Sequence, residues 1–178
     1  MIINFEGRIP RLHRSVFVAP GARVIGDVEI GADSSIWYNC VLRGDVNVIR
    51  VGARTNIQDG SIVHVDAPQP GREQGTPTLI GDEVLIGHLA TIHACVLRDR
   101  AFVGMGATVM DDCVIESDAM LAAGALLTPG KAIPSGQLWA GRPAKYVRDL
   151  TAEEARVHSL GVERYVELAR RHKAALGD

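Results

Sequence analysis

The sequence predicts an all-β fold, a parallel β-helix of about six coils with a C-terminal α-helix. From Leu12 to Leu127 an aliphatic residue recurs every six positions, with three phase breaks. A fixed short period sustained over that length marks a repeat architecture. Small or modest residues sit four places after many of these landings, as at Ala22, Ser34, Cys40, Ala90, Ala107 and Ala119, and Gly directly follows Ile30, Val51, Ile80, Ile86 and Val103. Neither the 3.6-residue helix period nor the heptad divides six, whereas a short strand plus a tight corner fits it. Three such sides close a triangular coil of 18 residues. Parallel strands stacked about 4.8 Å apart then turn the eighteen landings into a prism roughly 29 Å tall. Spacing alone leaves the handedness open.

Taken in order, the landings run Leu12, Val18, Val24, Ile30, Ile36 and Leu42; after a break, Val51, Ile57 and Val63; after a second, Ile80, Ile86 and Ile92; after a third, Leu97, Val103, Val109, Ile115, Leu121 and Leu127. The repeat thus occupies 1–128. Pro129-Gly130 and Ile133-Pro134-Ser135-Gly136 are turn chemistry, and Trp139-Ala140-Gly141-Arg142-Pro143 reads as extended, so 129–150 is expected to be a return segment. Thr151 with Glu154 three residues on is a capping box, which starts a helix over 151–178. Its apolar stripe, Leu150, Ala155, Leu160, Tyr165, Val166, Leu168 and Ala169, is expected to lie along one face of the prism, with Gly161 a candidate break.

The totals exclude several classes. A chain of 178 residues, 47% hydrophobic with net charge −2, describes one domain. A pI near 6.3 without a basic run argues against a nucleic-acid partner. No stretch approaches 18 apolar residues, which argues against a membrane partner, and the N-terminus lacks a signal-peptide layout, so the expected location is cytoplasmic. Cys40, Cys95 and Cys113 are odd in number and far apart, which points to buried packing.

The beat also says where side chains point. His64 follows Val63 and His93 follows Ile92, three units later once eleven extra residues are looped out. Three units is one coil, so the two imidazoles stack on one face within reach of a single metal at about 2.0–2.1 Å each. His88 sits two after Ile86, on the neighbouring face, so within one chain it points around a corner. A second copy of the chain in a closed ring would bring it to the other two. Arg43 stacks before His64 and Asp59 before His88, with Asp45 and Gln58 close by, so either an ion-pair network fixing subunit register or a site is being assembled. His13, His158 and His172 read as surface or hydrogen-bonded residues.

Leu42-Arg43-Gly44-Asp45, Asn56-Ile57-Gln58-Asp59, Val63-His64, Ile86-Gly87-His88, Ile92-His93-Ala94-Cys95 and Val103-Gly104-Met105-Gly106 together resemble the gamma-class carbonic anhydrase family, short bacterial type. The likeness continues into Gly141-Arg142-Pro143-Ala144-Lys145 and the helix around Tyr165. It implies a left-handed β-helix, a homotrimer, and a metal at each subunit interface, usually Zn2+ with Fe2+ or Co2+ as alternatives, held by His64 and His93 of one chain and His88 of the next. It further implies reversible hydration of carbon dioxide to bicarbonate. Gln58 would orient the attacking oxygen, Arg43 and Asp59 would pair across the interface with Asp45 nearby, and Tyr165 would reach the pocket from the helix. The pattern departs from the best-characterised form of the family where Val46-Asn47 follows Asp45 and where the loop from Val65 to Thr76 holds only Asp66 and Glu73 as acids, which implies slow proton export and low activity. The alternatives are a coenzyme A-linked acyltransferase or thioesterase, and a non-catalytic metal-binding trimer.

Overall fold

A computed structural model describes residues 1–177. Each landing residue points inward because successive side chains on a strand alternate between its two faces, and three parallel ladders result. The first runs Leu12, Ile30, Val51, Ile80, Leu97, Ile115, Ile133; the second Val18, Ile36, Ile57, Ile86, Val103, Leu121, Trp139; the third Ile2, Val24, Leu42, Val63, Ile92, Val109, Leu127. The chain is a hexapeptide-repeat parallel β-helix with a solid aliphatic interior. Ile36, Ile57, Ile86, Ile92, Ile115 and Leu121 are wholly buried. Corners between the sides take left-handed backbone at Asp33, Asn39, Asp112 and Asp118, residue types that tolerate it best after glycine.

The expected return segment over 129–150 divides in two. Ala132–Ile133 and Gln137–Gly141 still pair parallel with the coil below, and only Ala144–Asp149 turns back antiparallel. The six-residue beat continues through Ile133 and Trp139. Pro134 and Gly136 lie at a corner of the coil, where a missing ladder hydrogen bond and a positive φ cost little.

The helix spans Ala152–Leu176 with both halves of the capping box formed at Thr151 and Glu154. It runs down the second face. Its start is tied to the last coils by Leu150 N–H donating to Gly136 O (2.7 Å), and its end to the first by Lys173 Nζ donating to Arg14 O (3.2 Å) and by Tyr38 Oη meeting His172 Nδ1 (2.8 Å). Val162, Val166 and Ala169 form the buried stripe, while Leu160 faces outward. Gly161 does not break the helix. A Cβ there would sit 3.1 Å from Leu85 Cδ1, so glycine lets the helix lie close against the strand. No helix among the described residues is long and apolar enough to cross a membrane.

Glu154 accepts two hydrogen bonds from Arg148 (2.7 and 2.8 Å) and one from Thr151 N–H (2.9 Å), and these hold its carboxyl down at about 2, from an ordinary 4.5. A lowered acid contributes stability above its unfolded value and loses it as pH falls through the folded one. Far-ultraviolet ellipticity should therefore decline from pH 4.5 toward about 2 as the first turn frays, and Glu154→Gln should flatten that part of the profile. An unchanged profile in the variant would remove Glu154 as the cause.

Candidate metal centre

His64 and His93 end the strands Ile62–His64 and Thr91–His93, and the two residues are direct register partners. Val63 and Ile92 point inward at zero exposure, so the next residue on each strand points out. The rings lie 5.2 Å apart between centroids, and His64 Nδ1 faces His93 Nε2 at 3.2 Å.

The other nitrogen of each ring is held by a carboxylate. His64 Nε2 donates to Asp45 Oδ1 at 3.1 Å, and His93 Nδ1 donates to Asp111 Oδ1. A neutral imidazole has one N–H, and an ionised carboxylate can only accept. Both protons are thereby committed away from the gap, leaving two lone pairs facing each other at 3.2 Å. Such an arrangement is repulsive unless a cation lies between them. Two bonds of about 2.0–2.1 Å to one tetrahedral ion put their nitrogens about 3.3 Å apart. The donor pair fits a divalent metal.

Asp45 is fixed in turn by Arg43, whose Nη1 donates to Oδ2 at 2.6 Å. Burial works to raise the Asp45 carboxyl, but the hydrogen bonds from Arg43 and His64 outweigh it and hold it below the usual range. Burial pushes the His64 imidazole below its ordinary value, against the opposing bond from Asp45. Both effects favour an ionised carboxylate and a neutral ring, the states a metal requires.

His88 follows the same rule on a different side. It lies beyond Ile86 at the next corner, and its Nδ1 is 2.8 Å from Asp59 Oδ2, which leaves Nε2 free. Asp59 lies one coil below, since Ile57 and Ile86 are register partners. Within one chain, no group of three or more His, Cys, Asp or Glu side chains able to hold a metal forms among the described residues. The corner at His88 is flanked by bare apolar side chains, Leu89 at 71% and Met105 at 58% exposure, with Ile62 at 47% on the adjoining face.

Gln58, nearly buried, donates from Nε2 to Asn56 Oδ1 at 3.0 Å, which leaves its carbonyl oxygen as the free end. Tyr165 on the helix packs edge-on against Trp37 at 5.7 Å, and burial, followed by the Asp59 charge, raises its phenol. The Arg43–Asp59 pair is expected across a subunit interface, and within one chain both side chains have other partners. Arg43 is taken by Asp45 and Asp59 by His88. The cysteines are buried free thiols, and burial pushes Cys40 up to about 11 and Cys95 and Cys113 upward as well, so none is poised as a nucleophile.

Residues 10–44 match the model of the bacterial transferase hexapeptide family (six repeats). The chain is 40% identical to a carbonic anhydrase of Geobacillus kaustophilus, over 98% of its own length and 92% of that protein's. It is 53% identical to the mitochondrial gamma carbonic anhydrase 2 of Arabidopsis thaliana, over 96% of this chain. The chain belongs to the gamma carbonic anhydrase family. It spans about three-fifths of the length of the plant gamma carbonic anhydrases it matches, 61% in the case just given. Among solved structures, a hexapeptide transferase family protein from Anaplasma phagocytophilum superposes with a TM-score of 0.87 at 49% identity, covering 95% of this chain and 96% of that one.

Against the gamma carbonic anhydrase pattern, sequence reasoning places His64, His93, Arg43 and Asp45 together and His88 with Asp59 around the corner, as observed. It misses Asn56, which steers Gln58, and Asp111. The signal for Asn56 was its place two residues before Gln58, on the same side of the strand. Asp111 lies 18 residues after His93, one nominal coil, but at a different offset from its landing residue.

Proposed function

We propose that this gamma carbonic anhydrase family member hydrates carbon dioxide reversibly to bicarbonate at metal centres between the subunits of a homotrimer. The observation that carries this reading is the pair of imidazole lone pairs facing each other at 3.2 Å, each ring with its proton turned away onto an aspartate. His64 and His93 of one subunit and His88 of the next would hold the ion, with bare Leu89, Met105 and Ile62 covered by the neighbour. Three neutral nitrogen donors suit Zn2+, and Fe2+ and Co2+ are alternatives. When bound, such an ion would supply hydroxide near pH 7.

The chain's own groups do the rest. The carbonyl of Gln58, fixed by Asn56, accepts a hydrogen bond from the attacking oxygen and points its lone pair at carbon. Arg43 offers a positive charge beside Asp45 for the bicarbonate leaving the site, and Tyr165 bounds the pocket from the helix. Carbon dioxide and water become bicarbonate and one proton, and the proton passes to buffer. Three free buried thiols suit a reducing compartment, so we place the protein in the cytoplasm, although its plant relatives carry mitochondrial names.

A non-catalytic metal-binding trimer is the second reading, and one observation favours it. Asp66 is engaged by Arg72, Glu73 accepts from Gly71 N–H, and Asn47 pins the loop through two carbonyls, so the acids that could export a proton are tied down. Coenzyme A-linked acyl transfer or thioester hydrolysis fits less well, since one basic imidazole would serve it and here three are each committed to an aspartate. Stopped-flow carbon dioxide hydration on metal-replete protein, made with and without oxygen, decides among these. A rate well above buffer with up to one metal per chain is expected. Full metal content with no rate in either preparation would leave the non-catalytic trimer.

A further inference from the structure

We infer that Asp111 is the positioning residue that presets His93 for metal, an inference that rests on the metal-centre reading above. His93 cannot use Asp45, which is occupied by Arg43 and His64. Its Nδ1 is held by Asp111, which comes from the next coil at the corner after Val109. That corner is pinned from both sides. Asp112 N–H donates to Ala94 O below (2.8 Å), and Gly130 N–H above donates to Asp111 O (2.9 Å). Arg72, reaching across from the inserted loop, bonds Asp112 and lies within 3.6 Å of Asp66, which places a positive charge beside the two adjacent aspartates.

The chemistry follows from the acceptor. A carboxylate on Nδ1 keeps the proton there and leaves the Nε2 lone pair aimed at His64. Without it the ring can move its proton to Nε2 or turn, and either change removes a donor from the gap. Partners that orient a metal-bound histidine are worth about 10–100-fold in metal affinity. Asp111 thus completes a set in which Asp45, Asp59 and Asp111 each hold one histidine by one nitrogen.

The test uses the full-length protein, Zn2+ competed against a chromophoric chelator, and histidine 15N shifts of the metal-free protein, which report which ring nitrogen carries the proton. Asp111→Ala should weaken zinc about 10–100-fold and erase the Nδ1–H preference of His93 while subunit assembly is unchanged. Asp111→Asn, which still offers an acceptor oxygen, should retain part of the affinity and covers the case in which the alanine variant does not fold. Asp118→Asn, which weakens an ion pair with Arg100 and touches none of the three histidines, should bind zinc as the parent does. Parent-like zinc affinity in both Asp111 variants, or an Nε2–H tautomer in the metal-free parent, would overturn the proposal. A parent that keeps the Nδ1–H tautomer yet binds no zinc would overturn the metal-centre reading and leave the ring positioning by Asp111 standing.

Discussion

Co-assembling His88→Ala chains with His64→Ala chains should restore carbon dioxide hydration that neither variant shows alone. In the proposed trimer each single variant would lose one ligand at every interface, and its rate should fall to the buffer background with the metal lost. In a mixed trimer some interfaces join a chain with intact His64 and His93 to a neighbour with intact His88. Random mixing makes about one interface in four complete, so about a quarter of the parent rate should return. Co-expression or joint refolding supplies the mixture, and metal content should recover in proportion. No recovery in verified mixed trimers would show that the three histidines do not meet across subunits. The structure supports the test because His88 lies at a separate corner from the His64–His93 pair and no three-ligand group forms within one chain among the described residues.

Ile86→Ala should cost about 2–5 kcal/mol of stability, the range for emptying a fully buried aliphatic site. Ile86 is wholly buried between Ile57 below and Val103 above. The ladder backbone is hydrogen-bonded on both sides, so the cavity cannot collapse as it could beside a loose loop. Guanidinium unfolding of metal-free parent and variant at equal protein concentration measures the difference. A loss below about 1 kcal/mol would mean that the coils relax into the space and that the interior is softer than its packing indicates. The position also bears on the proposed metal centre, since Gly87 and His88 follow directly and a slackened rung would misplace the His88 corner.

Most of the fold was readable because the inward places that recur at a constant interval are almost all aliphatic. The breaks in that interval were the informative places. Between Leu42 and Val51 the extra residues pass through Gly44 and Asp45, and the ladder slips between Gly26 and Val28. Between Val63 and Ile80 they form a small loop bridged at Asp66 and Thr76. After Ile92 the side is one residue short and Ala94 takes a φ of 46°. Stacking at equal offsets found Asp59 under His88. It could not find Asp111, which sits two after Val109, whereas His93 sits one after Ile92, the register partner of Val109. The last coil was obscured for another reason. Pro134 and Gly136 look like an ending in the sequence, but corner positions welcome them, and Trp139 fills an inward place that the aliphatic count does not recognise. Ile2 escaped for want of a neighbour at the right interval, since it joins the third ladder below Val24 across a long excursion of chain.

The antiparallel strand Ala144–Asp149 has a bearing on how long the molecule can persist unaggregated. A stack of parallel coils ends in an open row of amides and carbonyls that would accept another chain's first coil as readily as its own next one, and repeated end to end this grows a fibre. On the second face the chain fills that row itself, with a strand that runs the wrong way to propagate the winding and whose outward positions include Lys145, Arg148 and Asp149. A shift of register between Leu138 and Trp139 twists the edge further from a flat template. The reversal therefore works as a stop on polymerisation.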